Sequence, residues 1–185
     1  MKKWIAAVLS ALLVSLFAAE TAAKDFSDDV TAPCGYSEEA LAAGLKKNLV
    51  PLAADFLAAE EKYGVNAVFL AGVAALESGW GRHCFKPNNF FGWGKKSFET
   101  PAEGIDFVAG KLAEQYLSPF GKHYHGVSVA AVNRSYNGSD VWKRKVKSLM
   151  RLISDRAEDY QAENEPVLEP VPTPVGEGPI ILGTW

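Results

Sequence analysis

The sequence predicts a mainly α fold: a helical domain around one buried central helix, with a short β-hairpin or loop lobe beside it. Residues 67–76 are all apolar or glycine behind a capping Asn66, and a helix that is apolar on every side must be buried on every side. Helix start and stop residues recur along the chain, whereas the alternation expected of half-buried strands is scarce and no internal repeat is visible.

Taken in order, Ser37 followed by Glu38 and Glu39 reads as an N-cap with acids in the first turn, opening a helix over residues 38–48. Pro51 fits the first position of the next helix, which runs to Lys62 and stops at Gly64. Asn66 caps the central helix, residues 67–77. Pro101 opens a fourth helix, with residues 103–116 turning Ile105, Phe107, Val108, Leu112 and Tyr116 inward. Residues 127–134 and 141–160 complete the set. Residues 79–100 are rich in glycine, asparagine and aromatics, a loop composition that commonly carries function.

At 185 residues the chain allows one ordinary domain with extensions and excludes two large catalytic ones. Its net charge of -3 gives no reason to expect nucleic acid. Residues 1–23 read as an export signal: Lys2 and Lys3 precede an apolar stretch over residues 5–19, and Thr21-Ala22-Ala23 offers small residues for cleavage. Fifteen helical residues reach about 22 Å, short of the roughly 30 Å hydrocarbon core, so an uncleaved anchor is disfavoured. The expected product is a secreted or periplasmic monomer that meets the membrane only through its signal. Without residues 1–23 the chain carries 17 basic and 21 acidic residues. Six of the acids lie after Arg156, where no Lys or Arg follows, so residues 24–156 are mildly basic.

The domain is expected over residues 37–160, behind an N-terminal segment, residues 24–36, and ahead of an acidic, proline-rich tail, residues 161–185. Such a tail is expected to be extended or disordered, because it cannot bury enough apolar surface to offset its ordering entropy. Ile180-Ile181-Leu182 within it is either a docking segment or a loose end. Cys34 and Cys84 are expected to form one disulfide in an exported protein, with a peptidase nucleophile as the weaker alternative.

Glu77 is the first candidate for chemistry. At the end of a buried helix, desolvation and the negative end of the helix dipole both favour its protonated form. A protonated carboxyl is what glycosidic cleavage needs, because the leaving alkoxide must receive a proton. A glutamate in that place can equally be a solvated surface residue. Its surroundings decide: Glu77-Ser78-Gly79-Trp80-Gly81 is followed by Asn88-Asn89-Phe90-Phe91-Gly92-Trp93-Gly94, then by Ser135-Tyr136-Asn137 with Trp142 close behind.

Over residues 52–153 this pattern resembles the glucosaminidase family of peptidoglycan hydrolases, with its mannosyl-glycoprotein endo-beta-N-acetylglucosaminidase-like domain, in the lysozyme-like superfamily. The resemblance implies a lysozyme-like α+β fold and hydrolysis of the β-1,4 bond after N-acetylglucosamine. It implies that Glu77 is the catalytic acid, and that the Tyr136 phenol lines the same cleft and steadies the sugar or the attacking water. Trp80, Asn89, Phe90, Trp93 and Asn137 are the candidate substrate-binding residues: aromatic faces suit the C–H faces of sugar rings, and an asparagine amide can pair with N-acetyl and hydroxyl groups. Core packing is the competing reading for the aromatics, and is preferred for Phe91 and Phe107.

One departure stands out. Many members carry a longer lobe with a second acid after the Asn-Asn-Phe-Phe-Gly loop, whereas here only residues 95–100 separate Gly94 from Pro101. Glu99 and Glu103 are the nearest candidates for that acid, and each can equally be a solvated or capping residue. Without one, the substrate's 2-acetamido group could assist. The spacing of His83, His123 and His125 matches no metal site, and neither a metal nor another cofactor is expected. The run Lys143, Arg144, Lys145, Lys147, Arg151 reads as a solvated helix face, or more remotely as a contact for anionic polymer. A lytic transglycosylase on the same fold and a non-catalytic wall-binding protein are the alternative functions; intact Glu77 and Tyr136 argue against the second.

Overall fold

The computed structural model describes residues 28–164, and within them the regular secondary structure is almost entirely helical. The elements are α1 (Glu38–Gly44), a 3-10 segment (Lys47–Leu52), α2 (Ala53–Tyr63), α3 (Ala67–Ser78), α4 (Pro101–Leu112), a π-helical turn (Ala113–Leu117), α5 (Val129–Tyr136) and α6 (Asp140–Asn164). Helix α3 is the central one: Asn66 caps it by accepting from Phe69 N–H at 2.8 Å, and every residue from Ala67 to Ala75 is buried.

Helix α6 lies across α1 and α3. Its buried residues Trp142, Val146, Met150, Ile153 and Ala157 are spaced four, four, three and four apart, one stripe of a helix. Gly44 allows the closest approach: a Cβ there would sit 2.5 Å from the Ile153 carbonyl oxygen, so any side chain would push α1 off α6. Helix α4 packs against α2 through Ile105, Val108, Ala109 and Leu112. The π-turn then closes with Ser118 N–H on the Ala113 carbonyl at 2.9 Å, and this extra residue in the turn re-aims Tyr116.

Several expectations change. The first helix stops at Gly44 instead of residue 48, and Pro51 falls inside the 3-10 segment rather than opening α2. Residues 79–100 form turns and no strand, so the lobe is a loop and not a hairpin. Helix α6 continues through Asn164, four residues into the expected tail. The N-terminal segment is stitched into the domain: Val30 is fully buried, its N–H donates to Val127 O and its carbonyl accepts from Asn66 N–H, each at 2.8 Å, beside an Asp29–Ser128 antiparallel bridge. The expected export signal over residues 1–23 and the expected tail beyond Asn164 lie outside the described residues.

The expected disulfide is not formed in this structure, where Cys34 and Cys84 are both free. Glu60 Oε2 accepts from Cys34 N–H at 3.0 Å and from Ala67 N–H at 2.7 Å, which pins Cys34 to the start of α3. Cys84 follows the other end of that helix, where His83 N–H bonds the Ser78 carbonyl. Twelve helical residues separate the two places by about 18 Å, far beyond the reach of a disulfide.

Candidate active site

The site is built where α3, α5 and α6 come together under the loop over residues 79–100. Helix α3 ends in a tight turn in which Gly79, Trp80 and Gly81 all have left-handed backbone, with φ of 60°, 66° and 77°. Ser78 holds that turn. Only 1% exposed, its hydroxyl donates to the Ala74 carbonyl at 2.6 Å and accepts from Gly81 N–H at 2.7 Å. Within Glu-Ser-Gly-Trp-Gly, therefore, the serine and glycines shape the turn and Glu77 is left to project from the last turn of the helix.

Glu77 is exposed, so the sealing by surrounding core that burial of α3 led us to expect is missing. It is nonetheless held. The indole Nε1–H of Trp142, 5% exposed at the start of α6, donates to Glu77 Oε1 at 2.7 Å. The other oxygen, Oε2, faces Gly92, where an added Cβ would come within 3.8 Å of it. Trp142 packs on Tyr136 with ring centroids 5.1 Å apart, and Tyr136 on Trp93 at 5.9 Å and Tyr116 at 6.0 Å. Trp93 meets Phe107 at 6.4 Å, so a continuous row of aromatic rings leads away from the carboxylate.

Tyr136 does not present a free hydroxyl. Its O–H donates to the Phe91 carbonyl at 3.2 Å, tying the end of α5 to the loop. Burial, reinforced by the nearby Glu77 carboxylate, pushes the phenol far above its ordinary range, so it remains a donor. The hydroxyl thus fixes the loop next to Glu77.

Asn89 and Phe90 both turn inward. Asn89 is 3% exposed, and its amide is spent inside the loop: Nδ2 donates to the Trp93 and Lys96 carbonyls at 3.2 and 3.0 Å, and Oδ1 accepts from Trp93 N–H at 2.9 Å. Asn88 does the same for the loop's far end, donating to the carbonyls of Phe98 and Glu99. Phe90, 6% exposed, joins Phe91 in the core and offers no face to a sugar. The paired asparagines are staples of a turn that has no sheet to satisfy its backbone.

Trp93 is half-buried in the aromatic row, and Asn137 is exposed where α5 ends. Trp80 is half-buried with Lys46 Nζ 5.6 Å from its ring centroid, and it faces a groove between α3 and α6 rather than the aromatic row. Thr100 caps α4, its Oγ1 accepting from Glu103 N–H at 3.2 Å, and the Glu103 carboxylate reaches back to accept from Glu99 N–H at 3.0 Å. Both Glu99 and Glu103 are exposed. His123 stacks on Tyr116 at 4.8 Å, and His125 Nε2 lies 2.9 Å from Ser135 Oγ.

Trp142 as the partner of Glu77, and Tyr116 as part of the row, were not identified as site residues from the sequence. The only sign of the first was a tryptophan near Tyr-Asn; nothing in the sequence marks the π-turn that aims the second.

The sequence pattern of the glucosaminidase family, described as mannosyl-glycoprotein endo-beta-N-acetylglucosaminidase, matches residues 53–155. Two curated relatives, each named "Putative endo-beta-N-acetylglucosaminidase", come from Streptococcus pneumoniae serotype 4 (strain ATCC BAA-334 / TIGR4) and from strain ATCC BAA-255 / R6. Each is 32% identical over 114 residues, which cover 56% of this chain. The match spans 17% and 16% of the relatives' own lengths, about a sixth.

Proposed function

Because the chain belongs to the glucosaminidase family, we propose that it is an exported glycoside hydrolase that cleaves the β-1,4 bond after N-acetylglucosamine in peptidoglycan, with Glu77 as general acid. The observation that carries this reading is the Trp142–Glu77 hydrogen bond at the head of an aromatic row. An indole N–H can only donate, so Oε1 is held as an acceptor and protonation is favoured at Oε2. That oxygen faces Gly92, a position with no side chain to fill the space beside it.

The steps follow from this placement. A glycan strand lying along Trp93 would cover Glu77 and exclude the water that now reaches it. Glu77 Oε2 then gives its proton to the glycosidic oxygen as the C1–O bond breaks. Water supplies hydroxide to C1, and its remaining proton returns to Glu77. With Glu103 spent on the Glu99 N–H, the 2-acetamido group of the substrate is the group we assign to stabilise the positive charge at C1. Export rests on residues 1–23, whose basic start and apolar stretch fit a cleaved signal and a secreted or periplasmic product.

Mass spectrometry of digested peptidoglycan tests the reading directly. Reducing-end N-acetylglucosamine is expected, and it should vanish in Glu77→Gln, whose amide has no acidic proton, a loss of at least about 10² in rate. A 1,6-anhydro-N-acetylmuramic acid product would instead assign a lytic transglycosylase, and no product would leave a wall-binding role.

A further inference from the structure

The basic run on α6 is not one solvated face. Lys143 pairs with Asp140 at 2.7 Å and Lys147 with Asp28 at 2.6 Å. Arg144 and Lys145 instead line a groove of about 600 Å³ between α6 and the end of α3. Its apolar surface comes from Leu76, Trp80, Val141 and Leu149, and no acidic residue lines it. Val141 is exposed and Trp80 half-buried, so this surface is open. Its position follows from the local geometry: Leu76 stands on the face of α3 next to the one bearing Glu77, Trp80 sits in the left-handed turn that ends the helix, and Val141 and Leu149 flank the Trp142 stripe of α6.

We propose that this groove seats the acidic peptide that branches from the glycan strand, a subsite beside Glu77 that rests on the peptidoglycan hydrolase reading above. The occupant follows from charge and surface. A groove with two cations, no lining acid and an aliphatic floor suits a short peptide of small apolar residues bearing carboxylates, whereas uncharged sugar hydroxyls match neither the cations nor the floor. None of the rings of the aromatic row lines the groove, which suits a branch rather than the strand itself: the strand follows Trp93, and the peptide leaves it toward Trp80.

The full chain is assayed on two preparations of glycan strands, one with peptide stems and one stripped by an amidase. The ratio of kcat/KM, stem-bearing over stripped, should be about fivefold or more, as two solvent-screened charge pairs would give. In Arg144→Gln/Lys145→Gln the ratio should fall to about 1. In parallel, a free tetrapeptide bearing two carboxylates is titrated while the Trp80 indole N–H is followed by NMR; a shift is expected in the unsubstituted chain and its loss in the double variant. A ratio of 1 in the unsubstituted chain, or one that the double variant leaves unchanged, overturns the subsite. A rise in cleavage of stripped strands in the double variant also overturns it and makes the chain's own acidic residues beyond Asn164 the occupant. If neither preparation is cleaved but the peptide still shifts Trp80 in an Arg144- and Lys145-dependent way, the hydrolase reading fails and the peptide groove stands.

Discussion

Replacing Trp142 by phenylalanine tests whether the indole acts on catalysis through Glu77. The substitution keeps an aromatic ring against Tyr136, now 5.1 Å away, and removes the one donor seen on Glu77 Oε1, at 2.7 Å. A hydrogen bond to a charged group contributes about 1.5 to 3 kcal/mol, which at about 1.4 kcal/mol per decade is roughly a 10- to 150-fold loss of kcat/KM. Trp142 is also 5% exposed in the core, and the smaller ring leaves a gap worth about 1 to 3 kcal/mol of stability. The two effects separate by experiment: kcat/KM is measured from reducing-end release at a temperature where the thermal melt shows the variant fully folded. The decisive comparison is the double-mutant cycle with Glu77→Gln. If Trp142 works by positioning Glu77, then Trp142→Phe should cost less than about threefold in the Glu77→Gln background. Unchanged kcat/KM in a folded Trp142→Phe variant would refute the positioning role, and so would the same loss in both backgrounds.

Denaturing, non-reducing thiol titration of the purified protein should find two thiols; in the folded state Cys84 should alkylate faster than Cys34, whose thiol burial pushes up to about 11. Finding no thiols would contradict the separation of the two cysteines by α3. Glu99→Gln and Glu103→Gln should each keep kcat/KM within about tenfold, and Glu103→Gln should cost at most about 1 kcal/mol on urea denaturation through its hydrogen bond to Glu99 N–H. A collapse of activity in either would identify a second catalytic acid. The Asp106 carboxyl is held below its ordinary 3.8 by Lys62 at 2.6 Å, so the stability it contributes is present above that value and is lost as pH falls through its lower folded value. Asp106→Asn should therefore melt lower at pH 7 and lose less on acidification to pH 3 than the unsubstituted chain; an identical Tm difference between the two pH values would count against the pairing.

What the sequence by itself determined lies within a few residues of each signal. Asn66 and Ser37 announce their helices because a capping oxygen meets an N–H three residues on, and the apolar run after Asn66 places α3 in the core whatever packs around it. The Glu-Ser-Gly-Trp-Gly turn is equally local, since Ser78 and the left-handed glycines shape it within eight residues. Tertiary structure alone decided which side chains meet. Glu77 and Trp142 are 65 residues apart in sequence and touch only because α6 crosses α3, and Val30 becomes core only by pairing with Val127. Asn89 and Phe90 stand in a motif that implies sugar contact, yet a loop without strands must satisfy its own carbonyls and cover its own core, so both turn inward. Cys34 and Cys84 looked pairable until α3 was found to stand between them, since spacing along a chain carries no information about which end of a buried helix each segment reaches.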